Sequence, residues 1–521
     1  MPSYVLENGK PVHAWDYDFT WSPAHKTAEE LRPLIYTYDK LADDCLDILE
    51  ATKPSPSSSS PSSSSPSSSS PSSSSPSSSS PSSSSPSPSP SPSPSPSTSS
   101  SAPSSPPSTT GEKEKCPLAT SPDTFSLLQH AASLPNPHPT ITQLWSQIHT
   151  IPPWVSWPAI ARGQKVFYRY AGPSIIALTF QSLLGGLGSP RVVETLSRTG
   201  GFSVQVNRRR LLETFQMVLS VTSSLSSLRP DTPDNEGFQS TIRVRFLHAS
   251  VRRRILALSA KRAEYYSVGE KGIPINDLDC MATITAFSSN LIWLGYPRQG
   301  IFLSQQEIDD YLALWRYVAY LLGTPTYPFE TPSTARVWLE SFIVSEINPS
   351  PTSKRLAENM ILALANTPPT YPSVDFLRAE ARWLNGDELS DALGIPVPRW
   401  YYRWLVAAQC LYFIVLCGIK RRIPKLDECL IGRMRRVLRE KTLEQTGGEK
   451  AGFAFRYVPS WSQLSEGDEH KRDGKGKGKE EGRWIGPRSI EQRNLLVLLV
   501  TMGLGSLVAW VGGRSVVSLF G

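Results

Sequence analysis

Cysteine and histidine are both scarce in this chain. Among 521 residues there are six cysteines and seven histidines, and no two cysteines have CxxC spacing. Two of the cysteines, Cys410 and Cys417, lie within one apolar stretch. A zinc ribbon or a disulfide framework needs paired, regularly spaced cysteines, so the sequence argues against both and predicts unpaired thiols.

Sustained alternation of apolar and polar residues, which is the pattern of half-buried β-strands, is absent as well. Apolar residues instead recur at helical spacing, as in STIRVRFLHASVRRRILAL and SQQEIDDYLALWRYVAYLLG, and Gly, Pro, Ser or Asn bounds such segments. In GIPINDLDCMATITAF, Asn276 or Asp277 is the predicted N-cap of a helix. The pattern predicts an all-α protein with a helical bundle as its architecture.

Apolar side chains are missing from most of residues 53–115, where serine and proline dominate and the unit PSSSS repeats. Such a segment cannot bury enough surface to offset the entropy of ordering it, so it is predicted to be a disordered linker. Residues 1–52 are predicted to be folded, because SPAHKTAEEL resembles a helix start and YDKLADDCLDILEA has helical spacing.

A signal peptide is not expected, because the opening MPSYVLENGK has neither a basic nor an apolar region. Long apolar runs occur near the other end of the chain. Residues 494–513 are about twenty residues without a charge, which is long enough to span a bilayer as a helix. Residues 404–419 form a shorter candidate, which a buried core helix explains equally well.

Positive charge is unevenly distributed along the chain. The net charge is +7, and a large share of it lies between Lys420 and Arg493. A basic run beside an apolar segment is as typical of a cytosolic membrane flank as of a nucleic-acid arm. With one membrane span, the protein would be tail-anchored with its main domain in the cytosol. With two spans, the basic segment would be a cytosolic loop and the main domain would face the lumen; the missing signal peptide favours the first topology.

The stretch RVRFLHASVRRR places a histidine among five arginines. On a helix, Arg245, His248 and Arg252 share one face, whereas Arg243 and Arg254 point to the opposite side. Guanidinium groups beside an imidazole disfavour its protonated form, and neutral imidazole is the form that binds metals. Arginines on this face would also suit the two propionates of a haem. A core histidine with a purely structural role is the alternative.

Two further groups of polar residues bear on this hypothesis. Arg210, Glu213 and Thr214 lie on one face of the segment RRRLLETFQM, which is otherwise rich in apolar residues. If this face is buried, it needs partners or a function, whereas a solvated helix face explains the same pattern. Glu194 lies among Val and Leu, where burial would raise its pKa toward that of a general base. A surface glutamate near a helix end is the alternative.

The order and spacing of several motifs are more specific than any one motif. These are ARGQKVFYRYAG, FQSLLGGLG, VVETLSRTGGF, RRLLETF, RVRFLHASVR, GIPINDLDCMATITAF and YLALWRYVAYLLG. Together they resemble the family of latex clearing proteins (rubber oxygenases) and fungal MpaB-type ER-bound oxygenases. The resemblance covers residues 1–52 and 144–386, so the Ser/Pro segment looks like an insertion in the catalytic region, which is tolerable because loop closure cost grows only logarithmically with length.

The resemblance implies an all-α fold that binds haem b. It implies that His248 ligates the haem iron, with Arg245 and Arg252 as the flanking arginines of the cofactor site. Where rubber oxygenases have a lysine able to cap the iron, this sequence has Glu213, which is therefore also predicted at the cofactor. This departure does not favour a lysine-capped resting state or polymer cleavage.

The resemblance also implies a reaction. Rubber oxygenases cleave C=C bonds of polyisoprene with dioxygen, and the fungal relative acts on the prenyl chain of a secondary metabolite. By this resemblance, Arg210 and Thr214 orient or stabilise bound oxygen, and Glu194 removes an allylic proton. The prediction is a haem-dependent oxygenase of an apolar, prenyl-type substrate at an intracellular membrane, the endoplasmic reticulum.

Domain boundaries and alternative functions follow from these patterns. Residues 116–395 are the predicted catalytic domain, with residues 1–52 as its N-terminal part and residues 396–521 as a C-terminal region with a basic loop and the two apolar candidates. The departure at Glu213 keeps open a catalytically inactive, membrane-anchored binding or scaffold protein of the same fold. Nucleic-acid binding is not expected, because the arginines divide between helix faces and no aromatic stacking motif accompanies them.

Overall fold

The computed structural model describes residues 4–52, 123–198, 204–445 and 489–504. Within these ranges the chain is mostly helical, which confirms the prediction of an all-α class. The described residues before and after the Ser/Pro segment form one compact unit. The predicted linker, residues 53–115, lies outside the described residues.

Two short strands form an antiparallel hairpin that pairs Pro11 with Thr20, and all other elements are helical. The strands have three residues each, too few for an alternating pattern to show in the sequence. The strands and α-helices are, in chain order, β1 (Pro11–His13), β2 (Asp18–Thr20), α1 (Ala28–Leu31), α2 (Lys40–Ala51), α3 (Thr124–Ala132), α4 (Pro139–His149), α5 (Trp157–Arg169), α6 (Ala171–Ile176), α7 (Pro190–Ser197), α8 (Val204–Thr222), α9 (Leu225–Leu228), α10 (Glu236–Lys261), α11 (Val268–Lys271), α12 (Asp277–Phe287), α13 (Gln305–Leu321), α14 (Pro332–Glu346), α15 (Pro351–Leu364), α16 (Val374–Ala392), α17 (Trp400–Arg422) and α18 (Pro424–Gln445). Two π-helical segments cover Ala177–Leu184 and Leu291–Gly295.

The N-terminal segment is an integral part of this fold. Thr27 and Glu30 form a capping box at the start of α1, and Asp39 caps α2 through the backbone amide of Ala42. Helix α2 packs against α4 and α10 and buries Cys45 completely. The five cysteines within the described residues are free thiols, as predicted, and Cys116 lies outside the described residues.

Helices α8 and α10 form the pair on which the site is built. They pack against each other, and Gly237 near the start of α10 permits the close approach, because a Cβ there would lie 2.5 Å from Ser227 Oγ and 2.7 Å from the Ser220 carbonyl oxygen. The packed side of α10 includes Phe238, Ile242 and Phe246, spaced four residues apart. Helical spacing in the sequence therefore predicted correctly that residues 240–258 are helical.

Helix α17 contains the shorter of the two apolar candidates, residues 404–419. Within the described part of the chain it is the one helix long and apolar enough to cross a membrane, and it is partly buried against the fold. The longer candidate, residues 494–513, is described only as far as residue 504. Residues 490–504 are helical, and Asn494 at the start of this candidate is fully buried.

Candidate functional site

A cavity of about 680 Å³ lies within the fold, and its wall is mostly apolar. Sites for cofactors and small molecules typically have this size and this kind of lining. Helices α8, α10, α12 and α14 contribute much of the wall. Its apolar side chains include Leu183, Leu187, Leu247, Ile284, Leu294 and Phe342.

Both π-helical segments border this cavity. Gln181, Ser182 and Leu183 line it from the first segment, and Leu294 lines it from the second. The two segments lie against each other so closely that a Cβ on Gly295 would be 2.5 Å from the Ala177 Cβ. Widened helical turns are rare and frequently occur at functional sites. Their position at this wall supports a functional rather than a merely structural cavity.

His248 projects from α10 to the cavity wall. Burial lowers the pKa of its imidazole to about 4, and the charge of Arg252 adds to this effect while Asp39 opposes it. The ring is therefore neutral at physiological pH, as expected from the sequence, although burial rather than the neighbouring arginine is the larger cause. Neither ring nitrogen has a hydrogen-bond partner among the described residues. A neutral imidazole facing a mostly apolar cavity fits the role of a metal ligand.

Arg245 and Arg252 lie on the same helix face but bind carboxylates of the protein itself. Arg245 donates to both carboxylate oxygens of Asp39, at 2.6 and 2.9 Å. Arg252 donates to Asp43 and to the carbonyl oxygen of Ile275, the latter at 3.0 Å. Neither arginine is among the residues that line the cavity.

These pairs change the interpretation of the two arginines. Both arginines hold carboxylates, and these are Asp39 and Asp43 at the start of α2, whereas a role of the arginines at a cofactor stays a prediction. Direct contact with haem propionates would require both pairs to break. In this arrangement Arg245 and Arg252 join α2 to α10, and the charge of Arg252 helps to keep His248 neutral.

The polar stripe of α8 faces the same cavity as His248. Arg210, Glu213 and Thr214 all line it, so the alternative of a wholly solvated helix face does not hold. Glu213 accepts a hydrogen bond from Arg209 Nε at 2.7 Å, and its side chain is about one-fifth exposed. The structure thus brings four predicted site residues, on two adjacent helices, to one cavity.

Glu194 differs from its prediction in both its position and its pKa. Its side chain is not among those lining the cavity, and its carboxylate binds Arg198 at 2.7 Å and Lys271 at 3.2 Å. Burial alone would raise its pKa, but the hydrogen bond from Arg198 and the charges of Arg198 and Lys271 outweigh burial and lower it. The expected raised pKa is therefore wrong, because the sequence did not show the two cations that the fold places beside this carboxylate.

Several polar cavity residues were missed by sequence reasoning. Asp279, near the start of α12, and Glu346, at the end of α14, both line the cavity. The motif around Asp279 was interpreted only as a helix start, and Asn276 is indeed the N-cap. An acidic residue directly after the apolar run FIVS was the available signal for Glu346.

The N-terminal hairpin also reaches the cavity. Trp15 lines the wall and, with Asp16, has a positive φ, near 55° for both residues. Arg298, another lining residue, donates to the carbonyl oxygen of Asp16 at 2.9 Å and to Gln181 Oε1 at 3.1 Å. This contact places part of residues 1–52 in the wall of the site, and no local sequence signal predicted it.

An all-α fold with a large apolar cavity and a neutral histidine on its wall is typical of proteins that bind a cofactor or small molecule inside a helical domain. Residues 168–411 match the family described as "ER-bound oxygenase mpaB/B'/Rubber oxygenase, catalytic domain". This match confirms, over these residues, the resemblance to the oxygenase family that the motifs indicated.

Two further comparisons add little to the family match. The chain is similar to a solved structure described as "Structure of Latex Clearing Protein LCP in the closed state", with 18% identity and a TM-score of 0.46, over 58% of this chain and 79% of that chain. No curated protein matches the chain in sequence. The assignment therefore rests on the family match.

Proposed function

We propose that this protein is a haem b-dependent oxygenase that acts with dioxygen on an apolar, prenyl-type small molecule at an intracellular membrane, the endoplasmic reticulum. One observation carries the proposal. A neutral imidazole, that of His248, faces a large apolar cavity inside a domain that matches an oxygenase family. A histidine with a purely structural role in the core would not need a cavity of this size beside it.

His248 is the residue that would hold the iron, through one imidazole nitrogen. A bound haem supplies the binding and reduction of dioxygen, which amino-acid side chains cannot perform. Because burial keeps the imidazole unprotonated, no proton has to leave before a metal binds. The mostly apolar wall would favour binding of an apolar substrate beside the iron.

The α8 residues would act on the polar atoms of the reaction. Arg210 offers a guanidinium donor and Thr214 a hydroxyl donor in the same cavity as His248. Such donors stabilise an oxygen atom that gains negative charge, and they do so more strongly in an apolar enclosure than in water. Proton removal by Glu194 is the family-based part of the proposal, and it requires the carboxylate to leave Arg198 and Lys271.

The absorption spectrum and oxygen consumption of the purified full chain test this function. We expect a Soret band, together with dioxygen uptake that depends on an added isoprenoid substrate. Haem binding without substrate-dependent uptake would instead support the inactive binding protein that the Glu213 departure keeps open. Absence of haem after expression with ample haem supply would contradict the proposal.

Attachment to a membrane is supported by an apolar surface on α17. Trp400, Trp404, Leu411 and Val415 are all exposed, and their spacing of four and seven residues places them along one side of the helix. Tryptophans at one end of an exposed apolar stripe are typical of helices that lie in the interfacial layer of a bilayer. In the adjoining helix, residues 490–504, further apolar side chains are exposed, namely Leu496, Leu499, Val500, Met502 and Leu504.

The opposite side of α17 is tied to the fold along its whole length. Gln409 donates to Glu380 at 2.6 Å in the middle of the helix, and Arg421 donates to Glu307 at 2.5 Å near its end. A Cβ on Gly172 would lie 2.7 Å from the ring of Phe413. These contacts support a helix that lies along the membrane surface with the domain, rather than one that crosses the bilayer away from it.

A dye placed on α17 tests this arrangement. A cysteine at Val415 would be labelled with an environment-sensitive fluorophore, in a chain whose Cys116 and Cys429 are replaced by serine. After reconstitution into phospholipid vesicles, we expect a blue-shifted, brighter emission, with quenching by lipids brominated near the headgroup. The matched control is a cysteine at Leu134, which is exposed on another part of the fold and should show neither effect. A water-like emission at residue 415 would contradict the surface arrangement.

A further inference from the structure

Two acidic side chains of the cavity wall share one arginine. Arg191, in α7, donates through Nη2 to Asp279 Oδ1 at 3.1 Å and to Glu346 Oε2. Asp279 and Glu346 both line the cavity, and the carboxyl groups are each less than one-tenth exposed. Neither the sequence motifs nor the proposed mechanism uses these two groups.

The charges of this cluster do not balance when both acids are ionised. Two carboxylates and one guanidinium leave a net negative charge in a buried place, which is costly, and two like charges at close range disfavour each other. The cluster therefore tends to retain one proton at neutral pH. The hydrogen bonds decide which acid carries it.

Asp279 is the better-satisfied carboxylate. Its Oδ1 accepts from Arg191, and its Oδ2 accepts from Asn276 Nδ2 at 2.9 Å. Glu346 accepts only from Arg191, at Oε2, and Oε1 has no hydrogen-bond partner among the described residues. A proton on Glu346 Oε1 would leave every hydrogen bond in place and would add a donor at the cavity wall.

The titration of the cluster agrees with this placement. Burial raises the pKa of Glu346 to about 7, and the negative charge of Asp279 adds to this, while Arg191 opposes it. Burial also raises the pKa of Asp279, against the opposing effect of Arg191. Tyr266 and Cys280 are further titratable groups close to Asp279, and burial raises the pKa of each to about 12, so both stay neutral.

We propose that Glu346, in its protonated form, donates a hydrogen bond to an oxygen atom of the substrate. The natural substrate would then be an apolar molecule with an acceptor oxygen, such as a carbonyl, rather than a pure hydrocarbon. Asp279 and Arg191 are positioning residues, because they fix the carboxyl group and hold its proton. The proposal rests on the proposed function only in taking this cavity as the substrate site.

Calorimetric titration of the purified full chain tests the proposal with a matched pair of probes. These are the prenyl ketone geranylacetone, whose carbonyl accepts but cannot donate, and the hydrocarbon of the same skeleton. We expect the ketone to bind about tenfold more tightly at about pH 6 than at about pH 8.5, because Glu346 loses its donor proton between them. The hydrocarbon should bind equally at both pH values.

Two variants separate this role from a structural one. Glu346→Gln keeps a donor but cannot titrate, so ketone binding should become independent of pH. Asp279→Asn removes the competing charge, so the midpoint of the pH dependence should move to lower pH. Glu330→Gln, at an exposed surface glutamate, is the matched control and should behave as wild type.

The proposal is overturned if wild-type ketone binding does not change with pH, or if the change persists in Glu346→Gln. If Glu346→Gln does not fold, the wild-type titration and the midpoint in Asp279→Asn still decide the matter. The outcome is separable from the oxygenase function. Ketone binding that follows pH, in a protein with no haem or no oxygen uptake, would support this inference and reject the proposed reaction.

Discussion

Replacing His248 by alanine is expected to reduce the haem bound per chain by at least about tenfold, because even indirect supports of a metal ligand affect affinity on that scale. His248 is the only histidine among the described residues that line the cavity, and its imidazole is neutral. The measurement is the ratio of Soret to protein absorbance in the purified full chain. Added free imidazole should restore part of the band, because it can occupy the vacated space and supply the missing nitrogen.

The matched control for this experiment is His149→Ala. His149 lies at the end of α4, where its ring contacts Trp145 and hydrogen-bonds the Trp145 carbonyl oxygen at 2.9 Å. It is not among the residues that line the cavity, so its removal should leave haem content unchanged. Full haem retention in His248→Ala would show that another group holds the iron. Equal loss in both variants would show that the effect is one of folding rather than ligation.

The second large effect concerns the ion pair between Arg245 and Asp39. Arg245→Met would leave the Asp39 carboxylate, only 12% exposed, without its bidentate partner. Removing one member of a buried pair typically costs about 3–5 kcal/mol of folding free energy. We expect a fall in Tm of about 10 °C, measured by thermal unfolding of the purified protein.

A double-mutant cycle shows whether the loss of folding free energy in Arg245→Met comes from its interaction with Asp39. Asp39→Asn removes the charge but can still cap α2, where the aspartate accepts from the Ala42 amide. On its own it should also be destabilising, because the Arg245 side chain is only 2% exposed and would lose its counter-charge. Combining both substitutions should cost clearly less than the sum of the two. Additive losses would contradict a direct coupling between them.

This pair also explains how the Ser/Pro segment can be accommodated. Asp39 precedes the segment in the chain and Arg245 follows it, yet their side chains are in contact. Asp43, which also precedes the segment, pairs with Arg252, which follows it. Cys45 likewise lies before the segment, and its thiol donates to the carbonyl oxygen of Thr140 after it, at 3.3 Å. Residues 1–52 are therefore held to the later helices by specific contacts, and closing a long loop between them costs only a logarithmic increment in free energy.

Helical periodicity accounts for what was predictable about the site. Spacing by three, four and seven residues placed Arg245, His248 and Arg252 on one face, and likewise Arg210, Glu213 and Thr214 on another helix. Both faces are directed inward in the structure. Spacing did not show that Arg245 and Arg252 lie one layer behind the cavity, because their partners come from α2, about two hundred residues earlier in the chain.

The wrong expectation for Glu194 and the missing role for Glu346 have the same origin, which is that both depend on contacts made by the fold. Glu194 was expected to have a raised pKa, and only the fold reveals Arg198 and Lys271 beside it. Glu346 had no assigned role, and only the fold places it against Arg191 and Asp279 at the cavity wall. The pKa of a carboxyl group depends on burial and on nearby charges, and the residues adjacent to it in the sequence reveal neither of them.

By itself the sequence determined the all-α class, the positions of α8, α10 and α12, the free thiols and, through the order of its motifs, the resemblance to an oxygenase family. These depend on local periodicity, capping residues and spacing, which are properties of short segments. Tertiary structure alone decided which polar groups face the cavity, which arginines are already paired and where a proton is held. These features depend on contacts between residues far apart in the chain. The protonation state and pairing of a buried ionisable group are determined by the groups that the fold places next to it.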